Sequence, residues 1–226
     1  MKKIILSGIL IFLPIFGSAQ FFDSYKIAVS MNFLDVNSNS DNRSFNDLRR
    51  YGSGLGIGFN AVKTVSNRLS IETGLELSIK RTVLDPDPQP VTTIDNPEGT
   101  GEFIEYSDAT TSIYLLSLPV NVQLEMFGGF KVHAGPLVDI KLGNNTDSYD
   151  WEYNGDNFSQ EDNMFDFAET FNFGYSIGLG KGFNLAGRDV FTSIQFRRDI
   201  TEMIRDDSFI SLRKQSIELW VGVPIF

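Results

Sequence analysis

FKVHAGPLVDIKL, residues 130–142, sets Phe130, Val132, Ala134, Pro136, Val138, Ile140 and Leu142 at every second position. Lys131, His133, Asp139 and Lys141 take alternate places. A period of two is that of a β-strand with one apolar and one polar face. The run exceeds the roughly 9–11 residues that a tilted strand needs to cross a bilayer.

The same alternation recurs along the chain. It covers residues 26–33, 54–61, 69–80, 112–126, 130–142, 171–180, 190–199 and 214–225. In the fourth stretch Tyr114, Leu116, Leu118, Val120, Val122, Leu124 and Met126 oppose Ser117, Asn121, Gln123 and Glu125. In the eighth, Ile217, Leu219, Val221, Val223 and Ile225 oppose Lys214, Ser216 and Glu218. An antiparallel sheet on a soluble core has the same period, so the connections decide. Long ones follow the odd stretches: Leu34–Ser53, Arg81–Thr111, Gly143–Thr170 and Ile200–Arg213. Short ones follow the second, fourth and sixth: Lys63–Arg68, Gly128-Gly129 and Lys181–Arg188. An up-and-down barrel collects all long loops at one rim and all tight turns at the other, as outer-membrane barrels do. The expectation is an all-β, eight-stranded antiparallel transmembrane barrel with both termini periplasmic.

The choice of outer face follows from size. An eight-stranded barrel leaves a bore just wide enough for side chains. The apolar faces carry large residues almost without interruption, whereas the other faces carry charges and glycines 54, 56, 58, 74, 174, 178 and 180. Large apolar residues outside and small or charged ones inside is the lipid-immersed arrangement. A lipocalin-like soluble barrel, turned inside out, is the alternative.

Composition agrees. Phe and Gly each number 20, and Cys is absent. The lack of cysteine excludes disulfides, thiolate metal sites and a lipoprotein anchor. With 19 Lys+Arg against 29 Asp+Glu, the formal charge of -10 repels phosphate backbones, so nucleic acid is not expected as a partner. Residues 1–19 read as a cleaved signal peptide: Lys2 and Lys3, an apolar run from Ile4 to Phe16, then Gly17-Ser18-Ala19. The expected mature barrel is 20–226, with charge 17 − 29 = -12.

Four segments carry a family likeness: YLLSLPVNVQL at 114–124, FKVHAGPLVDIKLG at 130–143, FNFGYSIGLG at 171–180 and SIELWVGVPIF at 216–226. They resemble the PorT-like outer-membrane β-barrel domain family. The resemblance implies an eight-stranded outer-membrane barrel with no catalytic residue that maps here. It also implies, as an alternative role, a component of a protein secretion or transport assembly. The terminal Phe226 resembles the aromatic ending read by barrel-insertion machinery, one residue out of register with Ile225.

Alternation assigns an interior polar set: Glu72, Glu76, Glu125, Asp139 and Glu218 against Lys80, Lys131, Lys141, Arg197 and Lys214, with His133. Such a near-neutral set can satisfy itself and plug the bore; a small gated channel is the alternative. His133 could serve a general base only beside a carboxylate. Asp139, six residues along the same strand, stands about 20 Å away. Asp85 and Asp87 belong to a loop at the opposite rim. A hydrogen-bonding His133 is therefore expected, with no enzyme activity, cofactor or metal. The long loops are acidic. Arg81–Thr111 holds Asp85, Asp87, Asp95, Glu98, Glu102, Glu105 and Asp108, and Gly143–Thr170 contains no Lys or Arg. Clustered carboxylates can take calcium, although no calcium-loop spacing is present. Tyr149, Trp151, Tyr153 and Phe158 are interleaved with these acids, a composition suited to partner binding. The expected partners are outer-membrane lipid and envelope or secretion proteins. The leading reading is a non-enzymatic barrel that stabilises the envelope or binds through these loops.

Overall fold

The computed structural model describes residues 21–38, 52–84, 89–90, 103–104, 109–146, 149–153, 156–160, 168–202, 204–206 and 210–225. Eight long strands form the wall: β1 (Ser24–Ser38), β2 (Gly52–Thr64), β3 (Leu69–Leu84), β4 (Ala109–Glu125), β5 (Phe130–Thr146), β6 (Phe171–Leu185), β7 (Arg188–Asp199) and β8 (Ile210–Pro224). Each pairs antiparallel with its sequence neighbour, and β1 pairs with β8 from Lys26↔Pro224 to Ser38↔Leu212. The sheet is closed, which removes both unpaired edges. Short paired segments at 89–90/103–104, 149–153/156–160 and 204–206 lie in the long connections.

The strands run further toward the long-loop rim than the apolar alternation does. β1 continues past Phe33 to Ser38, and β5 past Leu142 to Thr146. The ladder there needs only backbone donors and acceptors, so it continues where the outward apolar run stops. A register shift at Tyr114/Leu115 sets Tyr114 opposite Gly143 and Leu115 opposite Lys141, leaving Leu142 as the extra residue. This is a β-bulge.

The exterior is a continuous apolar belt. Leu55, Ile57, Leu77, Val120, Ile177, Ile194, Leu219 and Val221 all face out, with Ile57 53 % exposed. The interior holds the polar positions of the same strands, among them Asn32, Glu76, Lys80, Ser117, Asp139 and Glu218, each at most 3 % exposed. This inversion of the soluble pattern turns the lipocalin-like alternative away. The bore is not wholly polar, however. Leu34, Ile113, Leu115, Leu137 and Trp220 also point inward and are buried. Apolar residues on the polar face of a strand carry no signal in the alternation itself.

The turns at the short-loop rim are tighter than their composition suggests. The β4–β5 connection uses Gly128 and Gly129 at φ 70° and 76°, values that glycine adopts without cost. The β6–β7 connection shrinks from the eight residues expected at 181–188 to Ala186-Gly187, because Lys181–Leu185 and Arg188–Val190 join the ladder. Ala186 and Gly187 have φ 51° and 82°, as a type I′ hairpin turn requires. The Gly187 amide donates to Asn184 Oδ1 at 3.0 Å, and Asn184 Nδ2 donates to Asp189 Oδ1 at 3.0 Å. Alanine in this region is strained by about 1–2 kcal/mol. Ala186→Asn is expected to stabilise the barrel by about 1 kcal/mol, read as a higher urea midpoint in lipid vesicles. At the same rim the Thr64 amide and Lys63 Nζ donate to Asp23 at 2.6 and 3.0 Å and hold its carboxyl below the usual carboxylate range.

Candidate functional site

The candidate site is the charged interior, which falls into three tiers along the bore. Nearest the short turns, Glu72 on β3 gathers three donors: Lys26 Nζ at 2.5 Å, Gln123 Nε2 at 2.6 Å and Asn60 Nδ2 at 3.2 Å. Ser70 Oγ donates to Gln123 Oε1 at 3.4 Å, which orients the amide. Lys26 Nζ also lies 4.5 Å above the Phe191 ring, a cation–π contact.

The middle tier centres on Glu218 of β8 and Arg197 of β7. Arg197 Nη2 donates to Glu76 Oε2 at 2.5 Å, and its Nε stands 3.1 Å from Glu218 Oε2. Glu218 also accepts from Lys80 Nζ at 2.8 Å, Ser216 Oγ at 3.1 Å and Trp220 Nε1 at 3.0 Å. The guanidinium lies 5.5 Å from the Trp220 ring. Toward the long loops, Lys214 Nζ binds Asp139 and stands 3.5 Å from Asp199. Ser117 Oγ donates to the second oxygen of Asp139 at 2.5 Å.

Alternating geometry makes these meetings possible. The charged residues sit on inward positions of β1, β3, β5, β7 and β8, so their side chains converge on the barrel axis. Glycines on intervening positions leave them room. A Cβ on Gly58 would approach Trp220 at 3.1 Å and Glu76 Cγ at 3.2 Å, and one on Gly178 would strike His133. Charges removed from water are costly unless paired and hydrogen-bonded. Here the buried carboxylates Glu72, Glu76, Asp139, Asp199 and Glu218 face the cations Lys26, Lys80, Arg197 and Lys214.

The structure brings together Glu72, Glu76, Lys80, Asp139, Arg197, Lys214 and Glu218. The other four members of the sequence-derived set are placed differently. Glu125 and Lys131 pair at 3.8 Å on the rim, with side chains 47 % and 31 % exposed. They flank the Phe127–Gly129 turn, none of whose residues is buried. Lys141 is half-buried beside the bulge. His133 is sealed at 2 % exposure, opposite Gln123 and Gly178, and neither ring nitrogen has a hydrogen-bond partner. Gly178 opposite offers no side chain to bond, and the amide of Gln123 is committed to Glu72 and Ser70, so the hydrogen bond expected of His133 is not made among the described residues. Lys26, Asp199 and Trp220 join the network from outside the sequence-derived set. Lys26 and Asp199 share the inward parity and were legible from it. Trp220 was not, because an indole reads as apolar until its N–H finds Glu218.

Among the described residues no group of three or more His, Cys, Asp or Glu side chains is placed to hold a metal ion. The acidic loop positions 85–88, 91–102, 105–108, 154–155 and 161–167 lie outside the described residues, and so does the expected calcium binding there. Tyr149, Trp151, Tyr153 and Phe158 fall on the paired segments 149–153 and 156–160, with Trp151 in register with Phe158.

The sequence matches the family model for the outer membrane protein beta-barrel domain over residues 19–201. No curated protein matches it at a significant level. Among solved structures it is similar to Neisserial surface protein A, at 9 % identity, 88 % coverage of this chain, 96 % of that one and a TM-score of 0.45. It is also similar to Ail, the attachment invasion locus protein of Yersinia pestis, at 9 % identity, 89 % and 99 % coverage and a TM-score of 0.36. The outer membrane protease OmpT from Escherichia coli follows at 7 % identity, 89 % and 96 % coverage and a TM-score of 0.36. With the family model matched over most of its length, the chain belongs to the outer membrane protein beta-barrel domain family and resides in the outer membrane.

Proposed function

We propose that this barrel is a non-enzymatic envelope protein with a plugged bore, which stabilises the outer membrane or holds partners through its long acidic loops. The observation that carries the reading is the ion-pair network across the bore, in which Lys80, Arg197, Lys214 and Glu218 are each at most 3 % exposed. Side chains committed to one another in this way leave, among the described residues of the middle tier, no unpaired charge to lead an ion through. His133, the single histidine, is buried and has no carboxylate within hydrogen-bond reach among the described residues. In this reading residues 1–19 are a cleaved signal peptide, both termini are periplasmic, and the long connections are extracellular. Lipid is the partner common to the whole belt.

The PorT-like motifs at 114–124 and 130–143 support a second reading, a component of a secretion or transport assembly. Purification of the native protein from membranes separates the two, since a stoichiometric set of envelope proteins favours the assembly. For the plugged bore, purified protein in planar bilayers is expected to give no discrete conductance steps. Reproducible open levels would end that proposal.

A further inference from the structure

We infer that strands β6–β8 present an anionic-lipid face to the bilayer, with cations at both borders of the apolar belt placed to take lipid phosphates. The sign of the charge on the outer wall carries this. On the positions of the eight wall strands that share parity with Ile57, Leu77, Ile177, Ile194 and Leu219, the cations are Lys63, Arg81, Lys181, Arg188, Arg198 and Arg213. Asp35 is the one acid on that parity. The chain as a whole holds 29 Asp+Glu against 19 Lys+Arg, so composition favours the opposite sign. Depth favours it too, since a carboxylate on the lipid face costs less than a guanidinium or an ammonium. What draws cations to the borders of a bilayer is the negative charge of its headgroups.

The outward cations gather on one sector. Lys181, Arg188, Arg198 and Arg213 lie on β6–β8, whereas Lys63 on β2 is already held by Asp23 at 3.0 Å. Within the sector they stand at two heights. Arg188 and Arg198 are 198 − 188 = 10 residues apart on β7. That is about 33 Å of strand, or about 25 Å of height at the usual tilt, which matches the belt of a lipid-facing barrel.

At the long-loop border Tyr175, Arg198 and Gln215 stand in register on three adjacent strands, directly beyond the apolar row of Ile177, Phe196 and Ile217. Arg213 follows Gln215 two places along β8, on the same parity. A lipid whose acyl chains cover the apolar row therefore brings its phosphate to Arg198 and Arg213. Arg198 is exposed and makes no hydrogen bond or ion pair within the described residues, and Arg213 Nη2 stands 3.6 Å from Glu202. The planar fork of an arginine fits a phosphate bidentately. At the short-turn border Lys181 Nζ lies 4.5 Å from the centre of the Phe130 ring, in register with Thr192, and Arg188 lies on the neighbouring strand. The ring holds the ammonium on the outer wall by a cation–π contact. The inference rests on the embedded belt and not on the plugged bore.

Native mass spectrometry of the full chain in mixed micelles tests this, with phosphatidylglycerol and phosphatidylcholine offered in equal amounts. The wild type should retain phosphatidylglycerol in preference. Arg198→Gln and Arg213→Gln should each weaken that retention about fivefold. Arg198→Lys keeps the charge without the fork and should weaken it less. Equal retention of the two lipids by the wild type, or retention unchanged in the Gln variants, would refute the lipid face. Displacement of the bound lipid by an equal concentration of inorganic phosphate would assign the arginines to a free anion and refute it as well. The heat-dependent gel shift separates this inference from the fold. A wild type without the shift would overturn the embedded barrel and the lipid face together, whereas a shifted wild type with no lipid preference overturns the lipid face alone.

Discussion

Glu218→Leu is expected to lower the stability of the folded barrel by about 3–5 kcal/mol, the cost of stranding buried charges. Glu218 is the node that holds Lys80, Arg197, Ser216 and Trp220 in one arrangement. Without it Arg197 retains Glu76, whereas among the described residues Lys80 keeps only Ser216 Oγ at 3.2 Å as a hydrogen-bond acceptor. Burial makes the difference: the side chains of Lys80 and Glu218 are 2 % exposed, so water cannot replace the lost partner. Glu125→Leu removes a carboxylate of the same kind from a solvated pair and should cost at most about 1 kcal/mol. Urea titrations of vesicle-inserted protein, followed by the heat-dependent gel shift, compare the two. A second change, Lys80→Met in the Glu218→Leu background, should recover part of the loss by removing the unpaired ammonium. Equal costs at positions 218 and 125 would show that the network adds nothing beyond surface ion pairs.

Ile57→Arg on the outer wall should cost about 2–4 kcal/mol, and Val65→Arg about 0–1 kcal/mol. Both native side chains are similarly exposed, at 53 % and 55 %. Only their depth differs. Ile57 pairs with Val29 and Leu77 in the middle of the apolar belt, whereas Val65 belongs to the turn between β2 and β3. In water an added arginine would be tolerated at either place. In hydrocarbon the guanidinium must snorkel or thin the bilayer, and the penalty falls off toward the interface. The depth dependence, measured by the same titrations, therefore reads the lipid belt directly. A shared small cost at both positions would contradict membrane immersion of this face.

The chain's own pattern determined the strand count, the up-and-down order and the inward parity of residues such as Glu72, Glu76, Lys80, Arg197 and Glu218. Period two is a local property of extended backbone, so each strand declares its two faces without reference to any other. The alternation of long and short connections then orders the strands, because a tight turn can join only adjacent antiparallel neighbours. What each inward charge meets was decided by closure alone. Arg197 and Glu76 lie 121 residues apart, and Lys80 and Glu218 138 apart. No spacing rule links such positions, since their contact depends on register accumulated around the whole cylinder and across the β1–β8 seam. The same holds for Glu125 and Lys131, whose parity is inward but whose height leaves them on the solvated rim. Parity is written along one strand, whereas height and partnership exist only between strands, once hydrogen bonding has joined them into a closed wall.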